Sequence, residues 1–337
     1  MSKISGYAAL EAKGLLQPFS YESGDLVAHD VEVTISHCGI CYSDIHLIDN
    51  DWGSSIYPFV PGHEIVGTIS GVGSQVNHLQ VGNRVGIGWQ RSACLECEYC
   101  MAGNENLCAT QQAICGGNHG GFSDRIRTDS RFVFLLPDGL PSSVAAPLLC
   151  GGATVFAPLR RYGVNAKSKV GVIGIGGLGH MALLFLKALG CEVTAFSSSE
   201  LKREETTNMG AHHFVNSILP KDIVKHAGTF DLLISTVHAR IDCISYVQTL
   251  KPNGVFCFVG SPGLIQIPAG LLISKQRTIC GSDIANRSDI MEMLKFADRY
   301  KIHPLIETAP MREVNQGIAR LRLNQVRYRI VLESNSF

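Results

Sequence analysis

The sequence predicts an α/β protein of two domains, one of them built on a parallel sheet. Three observations predict it. The first ~150 residues carry short β-like runs broken by glycine, as at Val31 to Ser36 and Ile65 to Ser70. From Lys169 the rhythm changes to strand, glycine turn, helix and strand. The turn, Gly174-Ile-Gly176-Gly177-Leu-Gly179, joins a strand to a helix where a nucleotide-binding sheet would need it.

Taken in order, Val170 to Ile173 is an apolar run of strand length. His180 to Leu189 reads as a helix and Glu192 to Phe196 as the next strand. Asp231 to Thr236 and Gly254 to Val259 continue as buried strands with helical segments between them. Parallel strands need crossovers of this kind, which gives a doubly wound sheet. Asp289 to Arg299 is then helical, and Arg327 to Leu332 supplies a last strand.

The chain of 337 residues is long enough for two buried cores, and 45% apolar with 17% charged residues suits compact domains. Lys+Arg and Asp+Glu balance at 29 each, so no basic face for nucleic acid is expected. The first ten residues lack a charged segment ahead of an apolar core, so no signal peptide is expected. The uncharged stretch between Lys169 and Lys187 falls short of the usual ~20-residue membrane span and is rich in glycine. A cytoplasmic protein with no membrane partner is expected.

Twelve cysteines then favour metal or catalytic use over disulfides. Cys94-x2-Cys97-x2-Cys100-x7-Cys108 offers four soft ligands in one loop, as a closed structural Zn²⁺ site does. An iron–sulfur cluster is the alternative. There the fourth cysteine normally follows after three residues and precedes proline, whereas here the gap is seven and Ala109 follows.

The glycines Gly174, Gly176, Gly177 and Gly179 permit a tight turn and a close approach of backbone to a pyrophosphate at a helix N-terminus. Cofactor choice is read at the end of the second strand. NAD-binding proteins usually place an acid there to hold the ribose hydroxyls. This chain has Ser197, Ser198 and Ser199, then Lys202 and Arg203. Hydroxyls and cations favour a 2′-phosphate, so NADP(H) is expected. The plainer alternative is a helix-capping serine beside a solvated basic face.

Three further features lie apart: Cys41 and Asp44 in Cys38-Gly-Ile-Cys41-Tyr-Ser-Asp44, His63 and Glu64 in Pro61-Gly-His63-Glu64, and Cys150 in Leu148-Leu-Cys150-Gly-Gly. Singly, each is as well explained as a buried thiol or a structural histidine. Together with the four-cysteine loop and the glycine turn, the chain resembles, from end to end, the zinc-dependent medium-chain alcohol dehydrogenases. It is most similar to the branch of cinnamyl alcohol dehydrogenases and bacterial NADPH-dependent aldehyde reductases. Tyr57-Pro-Phe-Val-Pro-Gly-His-Glu, Pro147-Leu-Leu-Cys-Gly-Gly and Ser197-Ser-Ser carry much of that likeness.

The resemblance implies a GroES-like, partly open β-barrel catalytic domain (1–151 and 287–337) and a Rossmann nucleotide-binding domain (152–286), with the active site where they meet. It implies two Zn²⁺ per chain. Cys41, His63 and Cys150 would hold the catalytic one, with a position left open for water or substrate oxygen. Glu64 would lie beside that metal, and Asp44 would orient His63. Zn²⁺ so placed draws electron density from an aldehyde oxygen and prepares the carbon for hydride. Ser43 and the ribose hydroxyls would pass a proton toward His46, for which a plain surface role is the alternative. Thr154 matches a residue beside the nicotinamide and Arg329 a pyrophosphate contact. Tyr42 departs from the family, where His or Arg often follows the first ligand cysteine. Trp52, Trp89 and Phe122 resemble pocket-lining positions, although core packing explains them equally well.

The function expected is an EC 1.1.1-type oxidoreductase, an NADP-dependent alcohol dehydrogenase or aldehyde reductase of broad range, acting on small-molecule alcohols and aldehydes as a homodimer. The alternatives are an NAD-dependent dehydrogenase of one alcohol or polyol, and a non-catalytic nucleotide-binding redox sensor. Relatives of the second kind would be expected to lack Cys41, His63 or Cys150, and all three are present.

Overall fold

The computed structural model describes residues 2–334, the side chain of Ser2 excepted; Met1 and residues 335–337, at the ends of the expected catalytic domain, lie outside the described residues. The chain divides into two units, Met1–Cys150 with Asn286–Phe337, and Gly151–Ala285.

In the first unit the long strand Asp30–Ile40 is the organising element. It pairs antiparallel with Glu64–Val72 on one side and with Arg329–Glu333 on the other. The sheet runs on through Arg84–Ile87 to Val133–Leu135, and beyond Arg329–Glu333 to Ile306–Pro310. Asp30–Ile40 begins with an in–out alternation and ends fully buried, so the strand passes from a half-solvated surface into the interior as it nears Cys41. Register shifts between Glu32 and Val33, and between Ile35 and His37, mark where it bends. Val33, Ile35, Ile65, Ile69, Val85, Ile87, Ile330 and Leu332 fill the core beneath.

The second unit is a six-stranded parallel sheet. Its order is His213–Asn216, Glu192–Ser197, Lys169–Ile173, Phe230–Ser235, Leu250–Phe258, Thr278–Gly281. In order of sequence the strands therefore stand 3-2-1-4-5-6, the doubly wound arrangement of dinucleotide-binding sheets, with its reversal beside Lys169–Ile173. Phe196, Phe230, Leu233, Tyr246 and Phe256 form the core of one face.

The elements fall where the sequence puts them, with two informative differences. Leu250–Phe258 starts four residues ahead of the expected Gly254 because Leu250 already pairs with Phe230, ahead of an irregular stretch at Lys251-Pro-Asn that carries no apolar signal. The last strand spans Arg329–Glu333 rather than the expected Arg327 to Leu332, and it opens on the buried Arg329. The helical run Ser142–Arg161 is long and apolar enough to cross a membrane, but it is 89% buried within the protein, as a core helix is.

Candidate active site and metal centres

The three adjacent strands Arg329–Glu333, Asp30–Ile40 and Glu64–Val72 end side by side, so Arg329, Cys41 and the pair His63–Glu64 emerge at one place. Cys41 follows the central strand and leads into the helix Tyr42–Asp49. Asp44, in the first turn, reaches back to accept from the Cys41 amide at 2.9 Å, satisfying a donor the helix leaves open. Its other oxygen accepts from the Gly62 amide at 3.0 Å and from His63 Nδ1 at 2.8 Å. One fully buried carboxylate thus fixes the start of the helix and the approach to the strand.

A carboxylate cannot donate, so His63 carries its proton on Nδ1 and presents a lone pair at Nε2. That Nε2 is buried and has no hydrogen-bond partner. It faces Cys41, Glu64 and Cys150; the four ligand atoms all lie within 4.8 Å of one another, and all four residues are buried. Cys150 sits in the π-helical turn Leu148–Gly152, a wide turn of the kind often found at functional sites. The two sulfurs lie 3.8 Å apart. Sulfurs at about 2.3 Å from a tetrahedral Zn²⁺ stand about 3.8 Å from each other.

The electrostatics of this set agree with its geometry. The hydrogen bond from Cys150, with help from Arg329, holds the Cys41 thiol well below its usual value, and the same proton pushes Cys150 well above. Two sulfurs share one proton where a divalent cation would replace it. Burial pushes the Glu64 carboxyl up to about 7 against the pull of Arg329. Arg329, only 5% exposed, donates to Glu64 Oε1, while Oε2 is left without a partner. Gly39 lies opposite Glu64 in the ladder, and a Cβ there would come within 2.0 Å of Oε2. Only glycine leaves room for that carboxylate.

The other expected residues lie as follows. Ser43 Oγ is 3.7 Å from Cys41 Sγ, and His46 is three residues further along the same helix, on the same side. His46 Nδ1 is 2.7 Å from Asp51 Oδ2, and its ring packs against Tyr42 and Trp52 at 5.1 and 5.3 Å. Tyr42 is half exposed and supports His46. Trp89 stands edge-on to His63 at 5.0 Å and Trp52 edge-on to Trp89 at 6.0 Å, whereas Phe122 is a fully buried core residue. The pairing of Glu64 with Arg329 has no signal in sequence, because 265 residues separate the two. Cys115 is equally silent, yet its sulfur lies within 4.8 Å of the ligand atoms of Asp44 and His63.

The second cluster, Cys94, Cys97, Cys100 and Cys108, also has all its sulfurs within 4.8 Å of one another. Cys94 is 3.9 Å from Cys100 and 3.5 Å from Cys108, far beyond disulfide length and close to a tetrahedral edge. The amides of Glu96 and Cys97 donate to Cys94 Sγ at 3.5 and 3.3 Å, and Leu95 takes a positive φ of 61° to allow it.

In the second unit the glycine turn divides its labour. Gly174 has a φ of 85°, and a Cβ on Gly179 would meet the Gly174 carbonyl oxygen at 1.9 Å. A Cβ on Gly176 would meet nothing within 4 Å, which leaves backbone open to a pyrophosphate. Lys202 Nζ donates to the carbonyl of Ile175 on this turn. Ser197 is buried and bonded locally to the Ser199 amide at 3.2 Å, while Ser198 is exposed. Glu200 is engaged by Arg203 at 2.5 Å. Thr154 lies buried on the helix Ala153–Arg161.

A buried two-thiolate, one-imidazole set, a four-cysteine lobe and a doubly wound nucleotide sheet define the class as a zinc-binding oxidoreductase. Family comparison agrees: residues 27–138 match the alcohol dehydrogenase GroES-like domain, and residues 177–299 match the zinc-binding dehydrogenases. An aldehyde reductase, AdhA, from Synechocystis is 45% identical over 98% of both chains. A cinnamyl alcohol dehydrogenase from Sorghum bicolor superposes with a TM-score of 0.96 at 37% identity, over 100% of this chain and 99% of that one. One from Helicobacter pylori, solved with NADP(H), gives 0.92 at 30% identity over 99% of both chains. The chain belongs to the zinc-dependent medium-chain alcohol dehydrogenase family, in its cinnamyl alcohol dehydrogenase and aldehyde reductase branch. It is an enzyme of alcohol–aldehyde interconversion.

Proposed function

We propose that this protein is an NADPH-dependent reductase of small aldehydes, with one catalytic and one structural zinc per chain. The observation that carries this reading is the orphaned, Asp44-oriented Nε2 of His63 facing two buried sulfurs. Cys41, His63 and Cys150 hold the catalytic metal, whose chemistry is to polarise the carbonyl oxygen. Cys94, Cys97, Cys100 and Cys108 hold the structural one. Asp44 keeps His63 in the tautomer that can ligate, and Arg329 opposes the burial that favours the protonated form of Glu64. Ser43 hands the proton along its helix toward His46, which the Asp51 carboxylate orients.

Residues 152–286 bind the nucleotide, and residues 1–151 with 287–337 carry both metals. Gly174, Gly176, Gly177 and Gly179 hold the pyrophosphate, and Thr154 lies at the nicotinamide. Lys202 and Ser198 take the 2′-phosphate. Glu200 does not oppose this charge, because Arg203 neutralises it. Ser197 and Ser199 shape the turn more than they bind. Arg329 reaches the pyrophosphate only with the charge that Glu64 leaves it. Twelve unpaired cysteines support a reducing, cytoplasmic setting, and a homodimer is the assembly of this reading.

The test is a panel of aliphatic and aromatic aldehydes assayed with NADPH and with NADH. The reading expects NADPH to be favoured at least tenfold with several aldehydes, about 1.4 kcal/mol. Equal or greater rates with NADH, or turnover of one alcohol alone, would favour the NAD-dependent dehydrogenase instead.

A further inference from the structure

One carboxylate stands close to the strand end where the adenosine ribose of a dinucleotide lies. Glu200 follows the strand Glu192–Ser197 by three residues and opens the short turn Glu200–Lys202. An acid at this end of the sheet ordinarily accepts from the 2′-hydroxyl of NAD and repels the 2′-phosphate of NADP. Here both of its oxygens are engaged. Arg203 Nε donates to Oε1 at 2.5 Å, and Asn216 Nδ2 donates to Oε2 at 3.4 Å.

Both donors are tied to the neighbouring strand. His213–Asn216 runs parallel to Glu192–Ser197, with Phe214 opposite Ala195 and Asn216 opposite Ser197. The Arg203 guanidinium lies 4.5 Å from the centre of the Phe214 ring, within cation–π range. Asn216 Oδ1 accepts from the Ile218 amide at 3.1 Å, which orients the side chain and leaves its nitrogen for Glu200. Lys202 reaches the carbonyl of Ile175 on the glycine turn.

We infer that Arg203, seated on Phe214, and Asn216 mask Glu200. The mask rests on the NADPH reading above and sets the size of that preference. Glu200 and Arg203 together carry no net charge, so a 2′-phosphate of about −1.5 to −2 meets no free carboxylate as it approaches the serines. With both Glu200 oxygens taken, no strong acceptor is left for the 2′-hydroxyl of NAD. An exposed ion pair by itself is weak and opens readily. Phe214 and Asn216 matter for that reason, since they hold the two partners from a strand fixed in the sheet. Arg203 and Phe214 are positioning residues in this scheme. Each acts through Glu200, and neither needs to touch the cofactor.

The test is a mutant cycle on the zinc-loaded protein in its native assembly. Fluorescence titration gives Kd for NADPH and for NADH, and kcat is measured with one aldehyde at saturating cofactor. Arg203→Met should cut the preference for NADPH roughly tenfold, by weakening NADPH and tightening NADH. Adding Glu200→Gln to that chain should return the preference to within about twofold of its original value. Phe214→Leu should act in the same direction by about threefold, and Glu200→Gln should rescue it as well. The changes should fall on Kd rather than on kcat. A double variant that binds NADPH as weakly as Arg203→Met shows that Arg203 grips the phosphate itself, and overturns the mask. An Arg203→Met protein with an unaltered preference, where the parent chain favours NADPH, overturns the mask and leaves the NADPH reading standing. A parent chain that favours NADH overturns both.

Discussion

Asp44 Oδ1 accepts from His63 Nδ1 at 2.8 Å with both side chains fully buried, and through it two parts of the chain arrive at one site in fixed orientation. The same carboxylate ties down the Cys41 amide, so it sets two of the candidate ligands at once.

Asp44→Asn should therefore weaken the catalytic metal and little else. An amide can still accept from one partner but cannot enforce the Nδ1–H tautomer. A loss of about 10–100-fold in metal affinity is expected, read by competition with a chromogenic chelator, with the four-cysteine zinc retained. Loss of both metals together would point to global unfolding instead.

The glycine turn separates stability from binding. Gly179→Ala places a Cβ 1.9 Å from the Gly174 oxygen, so it should lower the melting temperature by the equivalent of about 1–3 kcal/mol. Gly176→Ala meets nothing in the protein, so its melting temperature should hold while NADPH binding weakens. Calorimetry and cofactor titration of the two variants check the contrast, and identical behaviour would refute it.

The cysteine lobe predicts an unusual gain. Leu95 sits at a φ of 61°, where a left-handed conformation costs an L-residue roughly 1–2 kcal/mol. Leu95→Gly should remove that strain and slow zinc loss to a chelator, provided the amide bonds to Cys94 are kept. Faster loss would show that the Leu95 side chain holds the lobe.

Acid stability should depend on Glu32. Burial raises its carboxyl, but hydrogen bonds from Arg127 and Ser70 outweigh that and leave it below its usual 4.5. A depressed carboxylate contributes stability above its unfolded value and loses it as pH falls through the folded one. Arg127 and Glu32 face each other across adjacent strands at 2.6 Å, so Arg127→Met should cost about 2 kcal/mol at neutral pH. The difference should shrink below pH 4.5, as urea unfolding at pH 7 and pH 3.5 would reveal.

Much of this was legible in the sequence, for physical reasons. The four-cysteine lobe is local, and spacing alone encodes it. The strand Lys169–Ile173 and the turn after it announce themselves because apolar runs and obligatory glycines leave few alternatives. Cys41, His63 and Cys150 could be joined only through resemblance, since nothing local says that the sheet will bring them together. The Glu64–Arg329 pair and the tight fit of Gly39 stayed hidden, because both arise from the register of three strands far apart in sequence. The serines were legible as a group but not singly. Only the turn geometry separates the buried Ser197 from the exposed Ser198.

The two metal sites should do different work. Zinc content, circular dichroism and NADPH-linked aldehyde reduction measured together on Cys41→Ser test it most directly. One zinc retained per chain, a native spectrum and activity reduced at least a thousandfold, about 4 kcal/mol of transition-state stabilisation, is the predicted result. Two zincs retained with full activity would contradict it.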